Sequence, residues 1–188
     1  MFGQKNRTDL SRFNNSSYRP GSRLKIALWY ITSNAIFLNR LIPSMGLKRG
    51  LLKAFGASIG KGLIIKPKVN IKYPWKLTIG DHVWIGEEVW IDNLDEVYLG
   101  DHVCLSQGAM LLSGNHDYSS VTFDLMTAPI RIEDGAWIGA KAVVVQGRTC
   151  GSHSVLTVGS VCTTDMDPYV IYQGNPATRV RERNMNSV

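Results

Sequence analysis

The chain has 188 residues, 44 % of them hydrophobic, with a formal net charge of +6. That length carries one sizeable domain plus an appendage, and the apolar fraction excludes wholesale disorder. The charge is uneven: residues 1–61 hold eleven Lys/Arg against the single acid Asp9, net +10, whereas residues 62–188 hold ten against fourteen acids, net −4. A basic arm on a mildly acidic body admits two readings, a solvated helical face or a contact with anionic lipid head groups, and gives no case for nucleic acid.

Residues 1–23 are polar and basic, lack the apolar core of a signal peptide, and are expected to be mobile. Residues 24–56 have helical spacing (Leu24, Leu28, Ile31, then Leu47, Leu51, Phe55), with Pro43 and Gly46 separating two segments and Gly56 closing the second. They are expected to form a helical cap. The run from Ile26 to Ile42 is interrupted by Asn34, Asn39 and Arg40, too short and polar for a membrane span. Three cysteines, Cys104, Cys150 and Cys162, form no paired motif. Together with the missing signal peptide they point to a reducing, cytoplasmic setting, peripheral to the membrane if the arm binds lipid.

From Ile59 the sequence advances in steps of six. Window starts fall at Ile59, Ile65, Ile71, Ile79, Ile85, Ile91, Leu99, Leu105, Leu111, Ile132, Ile138, Val144, Cys150, Leu156 and Cys162. Such a period is neither helical nor alternating; it fits a short strand plus a turn wound around a triangular coil. Each aliphatic start points inward and stacks on its equivalent one coil away, and each coil pairs the strand edges of the next. The expected fold is therefore all-β, a left-handed parallel β-helix over residues 57–167. It has about five coils, a prism of roughly 24 Å at ~4.8 Å per coil. Cys150 and Cys162 occupy inward starts on different faces and are expected to pack as buried apolar side chains rather than as a disulfide. Residues 117–129 lack the repeat and read as an excursion loop; residues 168–188 read as a basic tail.

His82, His102 and His153 sit at the fourth position of their windows, a solvent-facing corner. His116 closes Leu-Leu-Ser-Gly-Asn-His where the coil gives way to the loop, a place suited to a general base. A zinc site of the γ-carbonic-anhydrase type needs three convergent histidines and a close His-x4-His pair, which this chain lacks, so no metal is expected.

Ser-Gly-Asn-His-Asp at 113–117 resembles the catalytic-histidine segment of the hexapeptide-repeat xenobiotic and sugar O-acetyltransferases. Ile132–Ala140 is similar to that family's segment around the coenzyme A arm, and Gly174-Asn-Pro-Ala177 with Arg179 and Arg181 to its C-terminal signature. The Tyr73-Pro-Trp-Lys-Leu77 corner and the leading helices resemble the colanic-acid-biosynthesis branch of WcaF type. The resemblance implies an acetyl-CoA-dependent transferase, with a sugar or lipid-linked saccharide as acceptor in surface polysaccharide synthesis. His116 would take the proton from the attacking hydroxyl in a direct transfer. The Ala140 amide would hold the developing oxyanion, Trp137 would line the pantetheine slot, and Gly139, Gly159 and Ser160 would leave room along the groove. Arg179 and Arg181, after Pro176, would meet the coenzyme phosphates, with Arg183 as a further candidate. Asp92, Asn93 and Asn115 are the candidate acceptor contacts, and a homotrimer with sites between subunits is implied. Thr164 and Thr178 stand where the family often carries basic residues. The alternatives are an inactive scaffold of the same fold and an N-acetyltransferase acting on an amino sugar.

Overall fold

The computed structural model describes residues 6–186; Lys5 and the two ends of the chain lie outside that range. Coil one runs through β1 (Ser58–Ile59), β2 (Ile64–Ile65) and β3 (Asn70–Ile71). Coil two follows as β4 (Leu77–Ile79), β5 (Trp84–Ile85) and β6 (Trp90–Asp92), and coil three as β7 (Val97–Leu99), β8 (Cys104–Leu105) and β9 (Met110–Leu112). The chain then leaves the prism as a hairpin, β10 (Gly114–His116) against β11 (Leu125–Thr127). Coil four resumes with β12 (Ile130–Ile132), β13 (Trp137–Ile138) and β14 (Val143–Val145). Coil five holds β15 (Thr149–Cys150), β16 (Val155–Leu156) and β17 (Val161–Cys162). A sixth coil begins: Met166 bridges Cys150, and β18 (Val170–Gly174) pairs with β16 before turning back as β19 (Ala177–Glu182).

The result is a left-handed parallel β-helix whose three faces are parallel sheets. The first face stacks β1, β4, β7, β12 and β15; the second β2, β5, β8, β13, β16 and β18, edged by β19; the third β3, β6, β9, β14 and β17. The sequence count of five coils stops one partial coil short, because β18 and β19 carry no six-residue signature. The window starts form the interior, from Ile79, Ile85 and Ile91 through Leu99, Leu105 and Leu111 to Ile132, Ile138 and Val144, all buried.

The corners explain the spelling of the repeat. At the first corner Asp81, Asp101 and Asp134 each accept the amide of the residue one coil away, from Lys61, Asp81 and Asp101 respectively. A Cβ at Gly80 would overlap that Asp101 carboxylate and meet the Gly100 carbonyl carbon at 2.8 Å. Ile-Gly-Asp-His is thus a stacking rule as much as a turn. His82, His102 and His153 follow in left-handed backbone at φ 56–57°. They stack at this corner, His82 on His102 and His153 on Tyr169.

Below coil one lies the cap: α1 (Arg23–Thr32), a wide helical turn over Ser33–Phe37, and α2 (Met45–Ala54), whose Ser44 hydroxyl accepts the Leu47 amide. Trp29 and Phe37 turn inward and pack edge to face, and the Trp29 indole donates to the Ile71 carbonyl at 2.8 Å, sealing the open end of the prism. Lys48 of α2 is buried as well, which pushes its pKa down; its Nζ donates to the Lys66 carbonyl at 3.3 Å. Cys150 and Cys162 face the interior from different faces, as read from the repeat, and their sulfurs meet there. The hydrogen bond that Cys150 donates to Cys162, together with burial, pushes the Cys150 thiol well up, while the Cys162 thiol donates to the Thr164 carbonyl at 3.1 Å.

Candidate active site

The corner after β9 is rigid and polar. Ser113 is buried; its hydroxyl donates to the Asp92 carbonyl at 3.1 Å and accepts the Asp95 amide at 2.8 Å. One coil below, Asn93 is fully buried: its Oδ1 accepts the Tyr73 amide at 2.9 Å and its Nδ2 donates to the carbonyls of Tyr73 and Lys76. A Cβ at Gly114 would overlap the end of the Leu94 side chain, so a larger residue here would have to displace that leucine. Asn115 then accepts the His116 amide at 2.8 Å. The loop beyond begins in a turn in which Asp117 accepts the amide and hydroxyl of Ser119, bonds that hold its carboxyl below the usual range.

His116 is half-buried, stacked on Phe123 with ring centroids 4.4 Å apart. Its Nδ1 lies 2.9 Å from the Phe123 carbonyl oxygen. A carbonyl can only accept, so Nδ1 carries a proton, and in the neutral ring the lone pair is on Nε2. Directly opposed residues of an antiparallel pair share a face, so His116, Leu125 and, two residues on, Thr127 point to one side of the hairpin.

That side is covered by the N-terminal segment. Residues expected to be a mobile arm lie against the loop, because they carry apolar and hydrogen-bonding anchors. The Asp9 amide donates to the Val121 carbonyl at 2.8 Å, Phe13 meets the His116 ring edge-on at 5.6 Å, and the Tyr18 hydroxyl donates to the Leu94 carbonyl at 2.6 Å. Trp75 donates to the Pro20 carbonyl at 2.7 Å. Between this strap and the hairpin lies a cavity of about 560 Å³ lined by Asn15, Tyr18, Arg19, Lys76, Asp124 and Thr127. Burial and the neighbouring Tyr73, Asp95 and Asp92 push the Tyr18 pKa up, so its hydroxyl stays a neutral donor. Asp92 sits at this corner paired with Lys72 at 2.9 Å.

The second set of candidate residues lies on the second face. Trp137 is 46 % exposed and donates to Ser106 Oγ at 2.8 Å. It belongs to an outward column of Ile64, Trp84, Cys104, Trp137, Val155 and Ile171. At the corner after β13, a Cβ on Gly139 would meet the Val158 amide nitrogen and the Leu156 carbonyl at 2.7 Å, so the close coil contact requires glycine. The Ala140 carbonyl accepts the Gly159 amide at 2.9 Å, while the Ala140 amide has no partner among the described residues. Open space faces Gly159. Arg181 lies opposite Ile171 and so extends the Trp137 face; Arg179 lies opposite Tyr172 and pairs with Glu182 at 3.4 Å. Pro176 is exposed in the β18–β19 turn.

Three assignments change. Asn93, read as an acceptor contact, turns inward and caps the 73–76 corner with every polar atom bonded. Ser160, read as groove lining, is buried; its hydroxyl bonds Thr157 and accepts the Gly174 amide at 3.0 Å. Arg183, read as a phosphate contact, donates to the carbonyls of Gly135 and His153, both at 3.0 Å. Sequence reasoning missed Phe13, Tyr18 and Phe123, which no repeat position marks; the signal was an aromatic-bearing segment inside an otherwise polar arm.

Within one chain the two sets are not brought together. His116 leaves the corner between the third and first faces, whereas Ala140 sits at the corner between the second and third. The third face, spanned by the residues from 141 to 145, separates them by roughly 15 Å at ~3.3 Å per residue. Each half faces outward at its own edge of the prism.

No family model matches the chain. It is 36 % identical over 176 residues, 93 % of its length and 97 % of the relative's, to the protein of Escherichia coli (strain K12) named as colanic acid biosynthesis acetyltransferase WcaF. It is 30 % identical over 150 residues to the galactoside O-acetyltransferase of the same strain, covering 78 % of this chain and 74 % of that one. A galactoside acetyltransferase solved in complex with coenzyme A superposes with a TM-score of 0.76 at 26 % identity, over 86 % of this chain and 82 % of that one. The stacked hexapeptide coils and the hairpin carrying His116 are thus found in a chain that belongs to the hexapeptide-repeat acetyltransferases, alongside those of WcaF type.

Proposed function

We propose that the protein transfers the acetyl group of acetyl-CoA directly to a hydroxyl of a sugar or lipid-linked saccharide, in surface polysaccharide synthesis, with His116 as general base. The observation that carries this reading is the hydrogen bond from His116 Nδ1 to the Phe123 carbonyl at 2.9 Å. It leaves Nε2 as the one basic atom of the ring, on a side chain clamped between Phe13 and Phe123.

The chemistry follows. Nε2 takes the proton as the acceptor oxygen attacks the thioester carbonyl carbon. The oxyanion that forms is held by the free Ala140 amide. When the carbon–sulfur bond breaks, the imidazolium returns its proton to the leaving thiolate, giving an acetyl ester and free coenzyme A. No nucleophilic side chain is needed. The fit for the coenzyme rests on the apolar Trp137 face, the open space at Gly159 and the exposed guanidinium of Arg181 on that face, with Arg179 nearby. Acceptor contacts fall to Asp92, close to Tyr18 at the corner, and to Asn115, which precedes His116 on the other side of the hairpin.

Because His116 and Ala140 occupy different edges of one prism, a complete site needs His116 from one copy and the Trp137–Ala140 edge from another. A closed three-fold ring sets the His116 edge of each copy against the Ala140 edge of the next and completes three sites at once. Product analysis tests the reading: acetyl-CoA and a panel of neutral and amino sugars, with NMR of the product and intact mass of the enzyme. O-acetyl esters with an unmodified enzyme are expected. Amide products alone, or an acetylated enzyme that turns over, would overturn it.

A further inference from the structure

The cap carries an apolar surface with no partner in the chain. On α1, Leu24, Leu28 and Ile31 follow the i, i+4, i+7 rule and are 69 %, 50 % and 65 % exposed, while Trp29 on the opposite side is buried. Tyr30 flanks this stripe, and Leu41 beyond the wide turn is 88 % exposed. A helix that buries one apolar face and shows a second to water implies that something covers the second. Among the described residues no helix is long and apolar enough to cross a membrane.

The charge around the stripe indicates what covers it. The first 61 residues carry a net +10, with Arg19, Arg23, Arg40, Arg49 and Lys53 exposed or half-buried on the cap and the segment leading into it. Leucines and isoleucine on one face, an aromatic beside them and cations around them match a helix lying in the plane of an anionic bilayer. We propose that α1 docks the protein on an anionic lipid surface, with Leu24, Leu28 and Ile31 at the boundary between head groups and acyl chains. The same segment continues N-terminally into the strap that packs Phe13 on His116.

Co-sedimentation of the full chain with phosphatidylcholine vesicles, with and without phosphatidylglycerol, tests this. The expected result is binding to the anionic vesicles that weakens with added salt. The partition coefficient should fall by about tenfold or more in Leu28→Gln/Ile31→Gln and also fall in Arg23→Gln/Lys53→Gln. Both pairs are surface changes, so unchanged acetyl-CoA affinity shows that the variants are folded, and the docking result stands apart from any result on catalysis. Wild type remaining in the supernatant with anionic vesicles would overturn the proposal. So would equal binding by the Leu28→Gln/Ile31→Gln variant. A change confined to oligomer mass would assign the stripe to contacts between copies instead.

Discussion

A hydrogen bond to a carbonyl and two aromatic rings define what His116 can do. Phe123 stacks on it and fixes its tautomer; Phe13 holds its edge from a segment more than 100 residues away in sequence. Phe13→Ala leaves every catalytic atom in place but frees the ring to leave its productive orientation. We expect kcat to fall by roughly tenfold with the KM for acetyl-CoA unchanged, since misorientation of a catalytic group costs rate rather than coenzyme binding. A matching rise in that KM would mean that Phe13 supports the coenzyme groove instead. The sequence marked His116 because it breaks the corner rule that His82, His102 and His153 obey. It could not mark Phe13, Tyr18 or Phe123, whose roles arise from contacts between distant segments with no shared period. Nor could it separate Asp92 from Asn93: adjacent residues at a corner point opposite ways, and only the packing shows that Asn93 faces inward.

Coils and corners were the most legible part, because each six-residue window repeats the same physical demand: one inward aliphatic, one glycine where the next coil presses, one turn. Short elements outside that demand were not legible. The β10–β11 hairpin has three residues per strand, too few to show alternation, and β18 and β19 carry no repeat, so the excursion read as a loop and the coil count stopped at five. The interior also predicts its own weak point. Val83, Val103 and Ala136 occupy one inward column, and Ser154 continues it with a buried hydroxyl that has no hydrogen-bond partner among the described residues. An unpaired buried polar group costs about 1–3 kcal/mol. Ser154→Ala should therefore raise stability, by about 1 kcal/mol, in denaturant unfolding followed by circular dichroism. A loss of stability would show that the hydroxyl is bonded in solution.

At the scale of the whole molecule, the parts of the site are split between edges of the prism, and the outward column through Trp84 and Trp137 exposes indole rings on the second face. Both features predict a trimer, so light scattering should give three times the chain mass of 20.9 kDa. A stable, active monomer would contradict the proposed pairing of His116 of one copy with the Ala140 edge of another. The charge asymmetry was plain in the sequence, whereas the apolar stripe beside it was not: helical spacing alone does not distinguish a face that packs on the coil from one that meets lipid. The central claim, a base-assisted acetyl transfer at His116, is tested most directly by free-thiol release from acetyl-CoA against a panel of saccharides, for wild type and His116→Ala, with acetyl-CoA binding measured on both. The account predicts that the acceptor-dependent rate falls by roughly 100-fold or more in the variant, as expected for loss of a general base, with coenzyme affinity retained. Equal acceptor-dependent rates in the two proteins would contradict it.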